Sequence, residues 1–114
     1  MNKTELLALA ERVEQADGPN YALEQDIAEA VWRVKWNKAR PKDIRVPNYT
    51  ASIDAALTLV PDGHFWSITM RGENRGGFHA CCAKDGPLDW RDGAHPALAM
   101  TAAALRAIAG GADD

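Results

Sequence analysis

Cysteine is scarce in this chain of 114 residues, and the two that occur, Cys81 and Cys82, are neighbours. Adjacent residues of a strand point to opposite faces, so a bond between these two sulfurs would require unusual geometry. No disulfide framework is therefore available, which fits a reducing compartment. The N-terminus lacks the apolar core of a signal peptide, and no apolar run approaches the ~18 residues of a membrane-spanning helix. We expect a cytoplasmic protein that has no membrane partner.

The chain also lacks the short spacings that mark metal and catalytic sites. There is no CxxC and no HExxH, so His64, His79 and His95 are not expected to bind a metal with the cysteines. The segment RGENRGG at 71–77 has no phosphate-loop lysine or Ser/Thr, and it joins two predicted strands. We therefore predict no catalytic residue, no metal and no cofactor. A weaker alternative is a small enzyme or metal protein that uses His79 or one of the cysteines.

The overall composition is typical of one globular domain. Apolar residues make up 46% of the chain and charged residues 25%, which is ordinary for a protein that folds around a core. A chain of 114 residues can bury such a core without staples. The net charge of −3 argues against a protein that coats nucleic acid with its whole surface. We predict a single domain, 1–114.

Hydrophobic periodicity predicts four helices and two strands. The helices are expected at 3–16, at 20–34, at 51–60 and from Pro96 to the Gly110–Gly111 pair, and the strands at 64–71 and 77–84. Asn20 caps the second helix, and either Thr50 or Ser52 caps the third. Residues 86–94 are predicted to form an exposed loop. Residues 35–48 contain two prolines and are predicted to form a second loop, which allows an edge strand at 43–46.

These elements predict an α+β fold of order α-α-α-β-β-α. It is a small layered sandwich in which the helices pack on a short antiparallel sheet. Trp66, Ile68 and Met70 share one face of the first strand. The register of the hairpin stays open at this point. An odd register would place beside them His79, Cys81 and Ala83, and an even register would place there Phe78, Ala80 and Cys82.

The strongest anomaly of charge lies at 32–45, WRVKWNKARPKDIR, which we call the basic segment. Its six cations and single acid give it a net charge of +5, while the rest of the chain carries −8. Tryptophans interleaved with cations suit a phosphate backbone that has stackable bases. The candidate nucleic-acid-binding residues are Trp32, Arg33, Lys35, Trp36, Lys38, Arg40, Lys42 and Arg45. The alternative is a solvated loop whose tryptophans dock on the core and whose cations face the chain's own acidic helices.

Three stretches of the chain carry a resemblance to a known family. They are LALAERVEQADGPNYALEQDIAEAV at 7–31, YTASIDAALTLVP at 49–61 and HPALAMTAAALRA at 95–107. They resemble the phage ABA sandwich domain family, small proteins of tailed phages and prophages that carry YT-x-SLDAALTLVPEG and ATPALALCAAALRA. The resemblance implies an α/β layered domain that acts in the bacterial cytoplasm, and it brings no established activity and no functional residues.

The chain departs from this family pattern at two positions. His95 stands in the usual place of a threonine, and Thr101 stands in the usual place of a cysteine. Both departures indicate structural roles, because catalysis would tolerate such changes poorly. We therefore expect a non-enzymatic accessory phage protein that binds itself or a host or phage protein, with nucleic-acid binding through the basic segment as the alternative. A homodimer is expected, with the Ala-rich last helix as its seam.

Overall fold

Four helices and a three-stranded antiparallel sheet make up the part of the chain that the computed structural model describes. The described residues are 3–38, 40–43, 45–70, 77–84 and 90–111. In chain order the elements are α1 (Lys3–Gln15), α2 (Tyr21–Trp36), α3 (Ile53–Leu57), β1 (Phe65–Met70), β2 (Phe78–Ala83), β3 (Arg91–Gly93) and α4 (Pro96–Gly110). The predicted α+β fold class is confirmed, with one strand more than the sequence predicted.

The first two helices have apolar stripes and clear end signals. α1 buries one side through Leu6, Leu9, Ala10 and Val13. Asn20 caps α2 as predicted, because its side-chain oxygen accepts a hydrogen bond from the N–H of Leu23 at 3.0 Å. α2 ends at Asn37, whose left-handed backbone (φ 55°) directs its N–H to the carbonyl of Arg33.

The third helix is shorter than predicted and begins at the second of its two candidate caps. The hydroxyl of Ser52 accepts a hydrogen bond from the N–H of Ala55 at 3.3 Å, so Ser52 is the cap. The regular helix ends at Leu57, and the hydroxyl of Thr58 donates to the carbonyl of Ala55 at 2.6 Å. A side chain that bonds the preceding turn in this way competes with continuation of the helix.

α4 is the central element of the fold. Ten of its fifteen residues are buried. Leu98 and Leu105 pack into a cluster with α1 and α2, whereas Met100 packs into a second cluster with α3 and β2. A helix that is apolar on all sides belongs inside the protein. The prediction of a dimer seam along this helix is therefore wrong, because its small residues already contact the same chain.

The strands pair in the even register. Trp66 lies opposite Cys82, Ile68 opposite Ala80, and Met70 opposite Phe78. Residues that lie opposite each other share a face, and this face packs against α4 and α3 through Ile68, Phe78, Ala80 and Cys82. The sheet order is β1-β2-β3, and α4 lies mainly over β2 and β3, so β1 stands at the edge with little helix above it.

The third strand lies where the sequence predicted a loop. Residues 91–93 pair antiparallel with β2, with Gly93 opposite Phe78. Gly93 permits this because a Cβ at its position would stand 2.4 Å from the backbone nitrogen of Ala99 in α4. The edge strand allowed at 43–46 is wrong, since the described residues of that stretch are not in a strand. The part of the predicted loop at 86–89 lies outside the described residues.

Candidate functional site

The structure divides the basic segment between a helix and a loop. Trp32, Arg33, Lys35 and Trp36 lie on the last turns of α2, and Lys38 follows the helix end. The chain then returns along α2, so that Arg40, Lys42 and Arg45 line one polar cleft of about 500 Å³ together with the start of α2 at Tyr21 and Gln25. The cleft also contains Glu24 and Asp43. The fold therefore gathers three of the predicted cations in one place, but acids stand beside them.

One glutamate of α2 neutralises part of the basic segment. Glu29 accepts a hydrogen bond from Arg33 at 3.2 Å, and its other carboxylate oxygen lies 4.0 Å from the guanidinium of Arg40. For these two arginines, the interpretation that the cations face the chain's own acids is confirmed. Lys38, Lys42 and Arg45 are exposed and make no ion pair within the described ranges, so these three cations are available to an external anion.

The two tryptophans of the basic segment differ in exposure. Their ring centroids are 5.8 Å apart with an interplanar angle of 45°, as expected for residues one helical turn apart. Trp32 is partly buried, whereas Trp36 is 50% exposed. The ammonium of Lys35 lies 5.4 Å from the centroid of the Trp36 ring. Docking on the core therefore accounts for Trp32 only in part and leaves Trp36 open for contact.

A second exposed surface lies on the sheet, and the sequence did not single it out. Phe65 and Trp66 of β1 are 48% and 47% exposed, and Met70 is 74% exposed. Trp66 and Met70 alternate with Ile68 in the manner of an inward-facing row. Only Ile68 packs into the core, because α4 lies over β2 and β3. We call the outward side of this strand, together with the exposed side chains of Phe65, Trp66 and Met70, the β1 edge.

One sequence signal could have revealed the β1 edge. The six residues FWSITM contain no charge and no proline. Phe65 and Trp66 are consecutive, so large apolar side chains point to both faces of the strand. A strand with one buried face normally alternates apolar and polar residues. Large apolar residues on both faces of a strand, with α4 over one face, make this strand a candidate contact surface.

The cysteines of β2 have buried thiols, and the histidine of the same strand contacts Trp90 and Asp92. Burial raises the pKa of both thiols, although the Ser67 N–H partly offsets this for Cys81, and the pKa of Cys82 rises to about 11. Thiols of this kind stay protonated near neutral pH and are weak nucleophiles. His79 stacks on Trp90 at a centroid distance of 5.0 Å, and its Nδ1 lies 4.0 Å from Asp92. In the described part of the chain, no three His, Cys, Asp or Glu side chains come close enough to hold a metal ion.

The predicted hairpin loop at 72–77 lies outside the described residues except for Gly77, while the antiparallel pairing of β1 with β2 agrees with a hairpin. The helices of the described ranges are too short or too polar to cross a lipid bilayer. Comparison of the chain with protein families, with curated proteins and with solved structures finds no match in any of the three.

Proposed function

We propose that this chain is a non-enzymatic accessory protein of a tailed phage or prophage, which acts in the bacterial cytoplasm by binding protein, either itself or a host or phage partner. The phage assignment rests on the resemblance of 7–31, 49–61 and 95–107. The roles of the last two stretches support a shared scaffold: Tyr49, Thr50 and Leu59 are buried, and the hydroxyl of Thr101 donates to the carbonyl of Tyr49 at 2.9 Å.

The observation that carries protein binding is the exposure of Phe65, Trp66 and Met70 on one edge strand. Grouped exposed apolar residues mark interaction sites more often than single ones do, and aromatic residues and methionine are enriched in interface cores. The β1 edge is therefore the surface that we assign to protein binding.

Two further observations support a function without catalysis. The groups with raised pKa do not converge: burial raises the pKa of Tyr49 in the cluster around α1 and α2, while the shifted thiols lie on β2. An active site generally gathers such groups in one cavity. The polar cleft beside α2 instead contains cations whose acidic neighbours, Glu24 and Asp43, stand in the same chain.

The test is affinity purification with the tagged full chain in a bacterial host that carries the related phage. Trp66→Lys places a charge on the β1 edge, and Trp36→Lys is a matched control, since Trp36 is 50% exposed and lies on α2. We expect the native chain and Trp36→Lys to retain the same protein and Trp66→Lys to lose it. Retention of that protein by Trp66→Lys, or its loss from Trp36→Lys alone, would contradict the assignment of the β1 edge.

Nucleic-acid binding through the basic segment is the second candidate function. The observation that favours it is the half-exposed ring of Trp36 next to Lys35, with Lys38, Lys42 and Arg45 exposed and outside any ion pair of the described ranges. Such a set offers one stacking platform and several phosphate contacts.

A salt titration of binding to single- and double-stranded DNA tests this second candidate. The logarithm of the association constant should fall linearly with the logarithm of salt concentration. Each of Lys38→Ala, Lys42→Ala and Arg45→Ala should make this negative slope less steep by roughly 0.7–0.9. Trp36→Lys should weaken binding to single strands more than to duplexes. No binding at low salt, or binding unaffected by these substitutions, would exclude the role.

A further inference from the structure

Within the described residues, β1 lacks the sequence features that protect exposed strands from pairing. Natural edge strands are kept from pairing by short length, charged side chains, proline or a bulge. β1 is six residues long, FWSITM, and contains neither charge nor proline. Its pairing with β2 runs without interruption from Phe65 opposite Ala83 to Met70 opposite Phe78, so there is no bulge. Among the described residues no strand pairs with the outer side of β1, so its outward backbone groups can accept another strand.

We infer that the partner of this edge is β1 of a second copy of the same chain, so that two sheets join as one antiparallel sheet across a two-fold axis. This inference rests on the proposed function, because it names the protein that the β1 edge binds. Closed two-fold dimers are the commonest oligomers, and they require a surface that is complementary to itself.

The sequence of β1 meets that requirement in one particular register. With a two-fold axis perpendicular to the sheet, the α4 sides of the two sheets form one continuous surface. Residues that lie opposite each other across the axis must therefore project from the same surface of the joined sheet. With Ile68 on the axis, Trp66 lies opposite Met70 of the second copy, and Ser67 lies opposite Thr69 of the second copy. The two most exposed side chains on the α4 face of the strand, Trp66 and Met70, thus cover each other.

The side chains brought together in this register are chemically compatible. A methionine sulfur beside an indole ring is a favourable contact, and opposed hydroxyl residues can share a hydrogen bond across strands. Because β1 carries no charge, two copies meet without like-charge repulsion at the seam, although each chain carries −3. An uncharged edge also has no charge with which to select an acidic or basic peptide.

The size of the surface predicts a reversible dimer. Trp66 is 47% exposed, so pairing removes on the order of 100 Å² of its surface from water. One paired strand on each side covers less than the roughly 800 Å² per partner of a standard stable interface. We therefore expect a monomer–dimer equilibrium that depends on protein concentration, with no larger species formed through β1, because the two-fold pairing occupies the β1 edge of each copy.

Sedimentation equilibrium of the full chain, from ~1 µM to ~1 mM, covers the affinities of weak complexes. The native chain should shift from monomer to dimer, and Trp66→Lys and Met70→Glu should each raise the dimer Kd at least about tenfold. Circular dichroism establishes that both variants fold, as expected for exposed positions. Val34→Lys, at an exposed position of a helix that does not contact β1, should dimerise like the native chain.

Mixing the two variants tests the register. In the mixed dimer, Lys at 66 of one chain faces Glu at 70 of the other, while the second Met70–Trp66 pair stays native. Association in the mixture should therefore return to within a few-fold of the native chain. A native chain that stays monomeric throughout the range, a control that weakens as much as Trp66→Lys, or a mixture that does not recover would each overturn the inference.

If the chain is monomeric but affinity purification yields a Trp66-dependent partner, this inference falls and protein binding stands. If neither self-association nor such a partner is seen, protein binding falls as well.

Discussion

Thr50 joins three parts of the fold through one hydroxyl. Its Oγ1 donates to Oε2 of Glu24 at 2.6 Å and accepts from the N–H of Asn20 at 2.9 Å, and its own N–H donates to the same carboxylate oxygen at 3.0 Å. Thr50 is fully buried, and Glu24 is only 5% exposed. Because a buried carboxylate is tolerated only when it is hydrogen-bonded, the Tyr-Thr pair that opens the stretch 49–61 is a structural junction.

Thr50→Val should lower the free energy of unfolding by about 2–3 kcal/mol. The buried carboxylate of Glu24 would lose the hydrogen bond from the Thr50 hydroxyl, and the N–H of Asn20 would lose its acceptor. Thr50→Ser keeps the hydroxyl and is the matched control, with an expected loss of about 1 kcal/mol for the missing methyl group. Urea denaturation measures both variants. Equal losses in the two variants would show that the hydroxyl does not stabilise the junction.

The thiol of Cys82 predicts a stability that depends on pH. Burial, together with the neighbouring Cys81 thiol, raises the pKa of Cys82 from 9.0 to about 11. The unfolded chain therefore loses this proton at a lower pH than the folded chain does, and the associated stability is complete below pH 9 and is lost as the pH rises towards 11. The loss is at most about 1.4 kcal/mol per pH unit.

Denaturation of the native chain and of Cys82→Ala across this range checks the expectation. Other groups titrate in both proteins, so the informative quantity is the difference between the two slopes. The native chain should lose stability more steeply than Cys82→Ala between pH 9 and pH 11. Parallel curves would mean that the folded thiol titrates like the unfolded one.

Local chemistry allowed some of these side-chain roles to be predicted and left others open. Asn20 was identified as a cap because it lies immediately before an apolar stripe, and the structure confirms it. Thr50 and Ser52 could not be separated in the same way, since both carry a hydroxyl near the start of α3. The difference between them comes from Glu24, which is 26 residues away in sequence from Thr50 and reaches it only in the folded chain.

Among the helices, α4 begins at an imperfect cap. His95 occupies the capping position with extended backbone but makes no side-chain hydrogen bond to the first turn. Pro96 follows at the first helical position, which suits a residue without an N–H. The helix thus has a compatible first turn to which the His95 side chain contributes no acceptor.

His95→Thr should raise the free energy of unfolding by about 0.5–1 kcal/mol, because a threonine hydroxyl at this position can accept a hydrogen bond from the first turn. His95→Ala offers no acceptor and should give no such gain, so it separates capping from the mere loss of the imidazole. Thermal or urea denaturation is sufficient for the comparison. The same gain with alanine would contradict the capping explanation.

β3 depends on the close approach of Gly93 to α4. Gly93→Ala should destabilise the protein by at least about 2 kcal/mol, since the added methyl group meets helix backbone, which cannot rotate away as a side chain would. Gly110→Ala is the control, because nothing lies within 4 Å of a Cβ there and alanine favours helix. Comparable losses in the two variants would show that the packing of Gly93 is not special.

These elements also show why periodicity found most of the fold and missed one strand. α1, α2 and α4 carry apolar stripes or runs that act over a few turns, and β1 and β2 carry β-branched, aromatic or small apolar residues. β3 is the tripeptide Arg-Asp-Gly, in which neither aspartate nor glycine favours a strand. It exists because β2 offers it a partner and α4 leaves room for it, and both conditions arise only in the folded protein.

For the molecule as a whole, the central position of α4 separates two candidate surfaces. The basic segment belongs to α2 and the loop after it, whereas the β1 edge belongs to the sheet, and α2 does not contact β1. Variants of Trp36 and Trp66 therefore probe the two surfaces independently. The eight candidate residues at 32–45 could be predicted from charge, but the pairing of Arg33 and Arg40 with Glu29 could not, because it requires the loop to return along α2.

Amide hydrogen exchange of β1 in the full chain, measured in dilute and in concentrated protein, decides whether its edge is a binding surface. If the edge pairs with a second copy, amides of Phe65–Met70 that point away from β2 should exchange more slowly as concentration rises, while those of α2 stay unchanged. If β1 exchanges at the same rate at every concentration while α4 remains protected, the edge is open in solution and self-association through it is contradicted.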